Sequence, residues 1–188
     1  MSGSTPPPSR PIVRIDAHLV HENPWWRVWF DDVQFPSGSL GKHMRLTTVL
    51  DRPGAVAIIL DEDGPEPRFA LVQQWRYAQQ RSMWEFPRGF ADPTDPTPAA
   101  TAVREAAEEL GVSVNNPDIL GSICSDSSII SGSVHVALAR VSGSLSPLDG
   151  EVDALQWVPA SRLRSMMAAG EITDSYTLAA YALYLVAR

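Results

Sequence analysis

The sequence predicts an α+β domain with a mixed sheet, preceded by a smaller antiparallel strand unit. Three observations predict it. Strand-like segments fill the chain as far as Trp75, the apolar period changes from strand to helix near Thr97, and the later strands and helices lack the regular alternation of a doubly wound sheet. At 188 residues there is enough chain for one full core, and the length speaks against two full domains.

The elements follow in order. Pro11–Val20 (PIVRIDAHLV) alternates as one strand, Trp25–Phe35 makes a second, and the Pro36-Ser-Gly turn leads to a third at Lys42–Leu50, together a small antiparallel meander over residues 11–50. Residues 51–188 then form the main domain. Gly54–Leu60 (GAVAIIL) is apolar throughout, as a buried central strand should be, and the acidic turn Asp61-Glu-Asp-Gly joins it to Arg68–Trp75 as a hairpin. Thr97 and Pro98 open a helix as N-cap and first helical residue, and Gly111 stands just past its end. Strands are expected at Asp118–Cys124, Ser133–Val141 and Ala154–Val158, and helices at Ser161–Ala169 and Thr173–Ala187.

Composition narrows the function. The single cysteine, Cys124, rules out an internal disulfide framework and suits a reducing, cytoplasmic setting. No apolar run approaches the roughly 20 residues that a membrane span requires. Met1–Arg10 (MSGSTPPPSR) has no apolar stretch for a secretory signal and reads as a disordered leader. A formal charge of −7 is opposite to a nucleic-acid footprint, but an acidic protein handles phosphates when a divalent cation sits between carboxylate and substrate.

The helix opened by Thr97 carries the chemistry. With Arg104 at zero on a helical wheel, Glu108 falls near roughly 40°, Glu105 near about 100° and Glu109 near about 140°, while Val103, Ala106, Ala107 and Leu110 span roughly 200–300°. One face is thus apolar and small, and the other carries three carboxylates and a guanidinium. Glu105 and Glu109, four apart, have Cβ atoms roughly 6 Å apart. Carboxylates so close repel one another, and a hard divalent cation such as Mg²⁺, which prefers oxygen ligands, removes that penalty. A solvated acidic face has the same composition.

The surrounding stretch Trp84–Val112 (WEFPRGFADPTDPTPAATAVREAAEELGV) resembles the Nudix box, G-x5-E-x7-R-E-U-x-E-E-x-G-U with U aliphatic. Gly89 matches the opening glycine, and Arg104, Glu105, Ala106, Glu108, Glu109, Gly111 and Val112 match the second half. Asp95 stands where the box has an isolated glutamate, and the Gly89–Arg104 interval is one residue longer. The resemblance implies an α/β/α sandwich and a Mg²⁺-dependent hydrolase, with Mn²⁺ an alternative metal. It implies Glu105 and Glu109 as principal ligands, Glu108 as a further ligand, direct or through water, a backbone carbonyl at Arg88 or Gly89 completing the set, and Asp95 as a brace for Arg104. Glu151 is the best-placed general base, and equally an ordinary acidic turn residue.

Beyond the box, Val72-Gln-Gln-Trp-Arg-Tyr77 followed by Trp84-Glu-Phe-Pro-Arg-Gly89 is similar to ADP-ribose pyrophosphatases and related nucleotide-sugar hydrolases. That similarity implies a homodimer built on the N-terminal strands, which also form a base-binding wall. It implies Arg76 at the diphosphate or terminal ribose, Glu85 near the metal, and Trp25 or Trp26 stacked on the base. Trp29, Trp75, Trp84 and Trp157 read as packing residues, and the four histidines as structural or exposed. ADP-ribose pyrophosphatases usually carry a proline about sixteen residues after the box and a glutamate soon after it; this chain has Ser127 and Ser128, then Gly132. The expected reaction is cleavage of the phosphate–phosphate bond of a small nucleoside diphosphate derivative, giving a nucleoside monophosphate and a sugar phosphate. A non-catalytic nucleotide-sugar-binding module and a hydrolase of damaged nucleoside triphosphates are the alternatives.

Overall fold

The computed structural model describes residues 11–146, 150 and 152–187, which fall into two compact units. The leader expected at residues 1–10 and the candidate base Glu151 lie outside the described residues.

The first unit comprises residues up to Asp51 together with Asp126–Ser131. Its strands are β1 (Val13–Asp16), β2 (Leu19–Glu22), β3 (Trp26–Gln34) and β4 (Leu40–Thr48). β3 and β4 pair antiparallel along their whole length, while β1 and β2 lie end to end along the other edge of β3. The stretch Pro11–Val20 is therefore not one strand: the register slips at each side of Ala17-His18, and the bond from Phe30 N–H to the His18 carbonyl, 2.8 Å, bridges the break. Residues 126–131 join this unit through Leu46, whose amide donates to the Ile129 carbonyl (2.7 Å) and whose carbonyl accepts from Ser131 (2.8 Å). Nothing local in SDSSIIS announces that pairing.

The second unit holds a mixed sheet of seven strands: β5 (Gly54–Asp61), β6 (Arg68–Arg76), β7 (Arg81–Glu85), β8 (Arg88–Gly89), β9 (Asp118–Ile123), β10 (Val134–Arg140) and β11 (Val152–Pro159). The order is β11-β6-β5-β10-β9, with β10 parallel to β5 and the other pairings antiparallel. The expected hairpin of β5 and β6 is paired only at Leu60↔Phe69 and Asp61↔Arg68. Past that point the two strands part, and β7 pairs with β6 while β8 pairs with β5. Sequence periodicity does not predict β7 and β8, because both are short and Pro87 stands between them. They are nevertheless the segment that carries Glu85, Arg88 and Gly89.

Three helices complete an α/β/α sandwich: α1 (Pro98–Leu110) on one face, α2 (Ala160–Ala168) and α3 (Ser175–Val186) on the other. α1 has the expected bounds. The Thr97 hydroxyl accepts from Ala100 N–H at 3.2 Å, and Gly111 closes the helix with φ 68°, a left-handed conformation in which a side chain is strained. α3 starts two residues later than expected because Asp174 caps it. Alternation along the strands sends Ala55, Ala57, Ala70, Val72, Ala137 and Ala139 towards α1, and Val56, Ile58, Leu60, Phe69, Leu71 and Val136 towards α2 and α3. Among the described residues no helix is long and apolar enough to cross a membrane.

Candidate active site

The face of α1 against the sheet differs from the one its apolar pattern selects. Thr101, Ala102, Glu105, Ala106, Glu109 and Leu110 are buried, whereas Val103 and Ala107 are only half-buried. Relative to the expected apolar face the helix is rotated by about 100°, so that two of its three glutamates lie on the buried side. Burying carboxylates is unfavourable without compensation, and the partners of each are specific.

Glu105 lies against Gly89. A Cβ added at Gly89 would land on the Glu105 carboxylate, which would have to move, and one added at Gly54 would land on the Gly89 backbone carbonyl, so close approach requires glycine at position 54. Glu105 Oε1 also meets Arg104 Nη1 at 2.8 Å, and Glu108 Oε2 meets the same nitrogen at 2.8 Å from a more exposed position. Burial pushes the Glu105 carboxyl above its ordinary range, an effect that Arg104 offsets only in part. Glu109 accepts from Gln74 Nε2 at 2.6 Å, a buried bond from α1 to β6. Two of the three carboxylates thus meet Arg104, and the third accepts from Gln74.

Arg104 is itself held in place. Asp95 Oδ2 accepts from its Nε (3.2 Å) and Nη2 (3.1 Å), and the Phe90 carbonyl accepts from Nη2 at 2.7 Å. Asp95 thus reaches the arginine across the longer loop. Burial presses its carboxyl upward, but the Asp92 amide, Arg104 and Thr101 outweigh it and hold it below the usual carboxylate range. Arg52 secures the same loop from outside, donating to the carbonyls of Pro93 and Asp95 at 3.3 Å each.

Beside this cluster, on the same face of the sheet, Glu85 is fully buried and takes a bidentate pair from Arg76 (2.8 and 2.7 Å) and a third contact from Arg88 Nη2 (3.0 Å). Arg76 thus faces Glu85, and Glu109 and Asp174 add to the field that keeps it charged against the effect of burial. Sequence reasoning missed Gln74, the Arg88 side chain, Arg52 and Asp174. Gln74 was discoverable: Val72, Gln74 and Arg76 alternate onto one strand face, and a polar residue in line with a buried valine needs a partner.

The tryptophans divide differently from the expectation. Trp25 is exposed and Trp26 half-buried; Trp29, also half-buried, donates to Thr47 Oγ1 at 3.0 Å under the Arg45 guanidinium. Trp84 and Trp157 pack against the two cores, but Trp75 is exposed rather than packed. Among the described residues, the one trio whose ligand atoms lie within 4.8 Å of one another is Asp16, His18 and Asp32 in the first unit. Those groups are paired already, His18 Nε2 with Asp32 at 2.7 Å and Lys42 with the other Asp32 oxygen.

The NUDIX domain family model matches residues 50–180. The ADP-ribose pyrophosphatase of Mycobacterium tuberculosis is 29% identical over 170 residues, 88% of this chain and 79% of that protein. The CMP-5'-(N-acetyl-N-hydroxy-3-aminopropyl)phosphonate hydrolase of Streptomyces rubellomurinus is 26% identical over 161 residues, 85% of this chain and 75% of its own length. A crystal structure of an ADP compounds hydrolase superposes with a TM-score of 0.70 at 18% identity, covering 94% of this chain and 92% of that one, a likeness of fold.

Proposed function

The chain belongs to the Nudix family and is a Nudix hydrolase, and on that premise we propose that it cleaves the pyrophosphate bond of ADP-ribose or a similar nucleoside diphosphate sugar with the help of Mg²⁺. The products are a nucleoside monophosphate and a sugar phosphate. One observation carries the reading: two buried carboxylates, Glu105 and Glu109, lie one turn apart on α1, with Glu105 pressed into the space that Gly89 leaves by lacking a side chain. Oxygen donors in that setting suit a hard divalent ion, which compensates the burial that raises Glu105.

Glu105 and Glu109 would hold the metal, Glu108 would add a direct or water-mediated contact, and the Arg88 or Gly89 carbonyl would complete the protein's share. When bound, the ion neutralises phosphate oxygens and lowers the pKa of a water for in-line attack. The protein's own groups do the rest. Asp95 holds Arg104, whose Nη1 meets Glu105 and Glu108; Gln74 donates to Glu109; Glu85 helps keep Arg76 charged and holds both Arg76 and Arg88 in place. Glu151 is the proposed general base.

The similarity to a protein named ADP-ribose pyrophosphatase supports the diphosphate chemistry. The departure at Ser127, Ser128 and Gly132 leaves the leaving group to experiment. A screen of nucleoside diphosphate sugars, dinucleotides and triphosphates with Mg²⁺ or Mn²⁺, with each phosphate product quantified, tests the proposal. Monophosphate release from a nucleotide sugar is the expected result; pyrophosphate release from triphosphates, or tight ADP-ribose binding without products, replaces it with the pool-cleaning enzyme or the binding module. We further propose a cytoplasmic homodimer built on the first unit, supported by its exposed Ile15, Val20, Phe30 and Leu40. A monomer by light scattering at micromolar concentration refutes the dimer.

A further inference from the structure

The segment Glu85–Gly89 meets Glu105 on one side; its other side is held by the first turn of α3. Thr177 is fully buried, and its hydroxyl accepts from Phe86 N–H at 3.0 Å while donating to Asp174 Oδ2 at 2.8 Å. The same Asp174 oxygen accepts the Thr177 amide at 2.8 Å. The other oxygen faces Arg88 Nη2 at 3.5 Å, and the Arg88 guanidinium reaches Glu85 at 3.0 Å and lies over the Tyr176 ring at 4.9 Å. Between these anchors the Pro87 carbonyl accepts from Ala57 N–H at 2.8 Å.

A helix cap explains only part of this. Capping α3 requires the bond from the Thr177 amide to Asp174 and no hydroxyl at that position. The Thr177 hydroxyl instead reaches a backbone N–H 91 residues away in sequence, on the segment that bears Glu85 and adjoins Gly89. The second Asp174 oxygen is likewise directed at Arg88 rather than at the helix. We infer that Asp174 and Thr177 are positioning residues, which set the Glu85–Gly89 segment against the Glu105 carboxylate and, through Arg88, orient Glu85. This rests on the metal-dependent reading above. Gly89 packs against the Glu105 carboxylate, so a shift of the segment changes how its carbonyl and that carboxylate are offered together to a divalent ion.

The test uses the full chain and Mn²⁺ alone as probe, followed by calorimetry and electron paramagnetic resonance well below the melting temperature of each variant. Thr177→Val, which keeps the shape and removes the hydroxyl, is expected to weaken Mn²⁺ binding about 10-fold, the low end for residues that support a metal ligand. With the substrate found by the screen, kcat falls more than KM rises, and Thr177→Ser restores both. A lowered melting temperature with unchanged Mn²⁺ affinity overturns the inference. Should Thr177→Val fail to fold, Asp174→Asn decides: asparagine still caps a helix but presents no charge to Arg88, so weakened Mn²⁺ binding supports the inference and unchanged binding overturns it. A wild-type chain that neither binds Mn²⁺ nor cleaves any nucleotide refutes the functional reading together with the inference, an outcome distinct from an active wild type with indifferent variants.

Discussion

The two faces of the central sheet are built from the same strands and do different work. Towards α1 the strands present mostly alanine and valine, with Ile59, and the helix answers with Ala102, Ala106 and Leu110. Towards α2 and α3 they present Phe69, Leu71 and Ile58, and the helices answer with Leu163, Tyr181 and Tyr184. Phe69 sits at the centre of this second layer, edge-on to Tyr184 (5.1 Å, 90°) and Tyr181 (5.6 Å, 82°). Small residues bury little area each but let a helix approach the sheet closely, so Glu109 reaches Gln74 across the gap. Large aromatic residues bury much more apolar surface and supply the packing that the polar layer lacks. The difference teaches that the large aromatic side chains gather on the face opposite the candidate site, while the face that buries charge is packed with smaller ones.

Four variants break or sharpen this contrast. The largest effect is expected from Glu109→Gln, which should lower turnover by several orders of magnitude while leaving a cooperative melt, checked by steady-state kinetics beside calorimetry. Phe69→Ala should do the reverse, lowering stability by about 3–5 kcal/mol in urea titration while turnover per folded molecule in the cold is retained. Ala106→Leu addresses the close approach itself. Overpacking should remove roughly 1–3 kcal/mol and reduce turnover as well, because α1 is lifted from the sheet; retained turnover would mean that the distance does not matter.

Asp95→Asn should be the mildest, about 1 kcal/mol at neutral pH, kept small by the partial exposure of Arg104. Its pH dependence has a definite sign. The folded carboxyl titrates below its ordinary range, so it binds fewer protons than the unfolded chain and stabilises the fold above the ordinary carboxylate range. That contribution disappears as pH falls through the lowered value. Melting curves of wild type and Asp95→Asn should therefore converge in acid, and a constant difference at all pH values would remove Asp95 from the account.

Much of the second unit was legible because its instructions are local. Thr97, Pro98 and Gly111 bound α1 by satisfying or omitting its own terminal groups. The spacing of Arg104, Glu105, Glu108 and Glu109 places them on adjoining turns in any surroundings. The splitting of β5 from β6 was not legible, nor were β7, β8 and the interrupted first strand, since each depends on which remote backbone supplies hydrogen bonds. Wheel analysis placed the glutamates opposite the buried face of α1, because it weighs side chains one at a time.

The sequence alone pointed to the family through its resemblance to the Nudix box and to the α+β class through the order of its strands and helices. Capping and spacing within a few turns set the bounds of the acidic helix and the residue types available for holding a divalent ion. Only the tertiary structure decided that Glu105 and Glu109 face inward, that Gly89 makes room for one of them and that Asp174 and Thr177 hold the adjoining segment from behind. These arrangements are pairings between distant parts of the chain. Their energies come from fitting a whole face of a helix to a whole face of a sheet, where burial summed over many small residues and a few specific hydrogen bonds outweighs the preference of any one side chain for water.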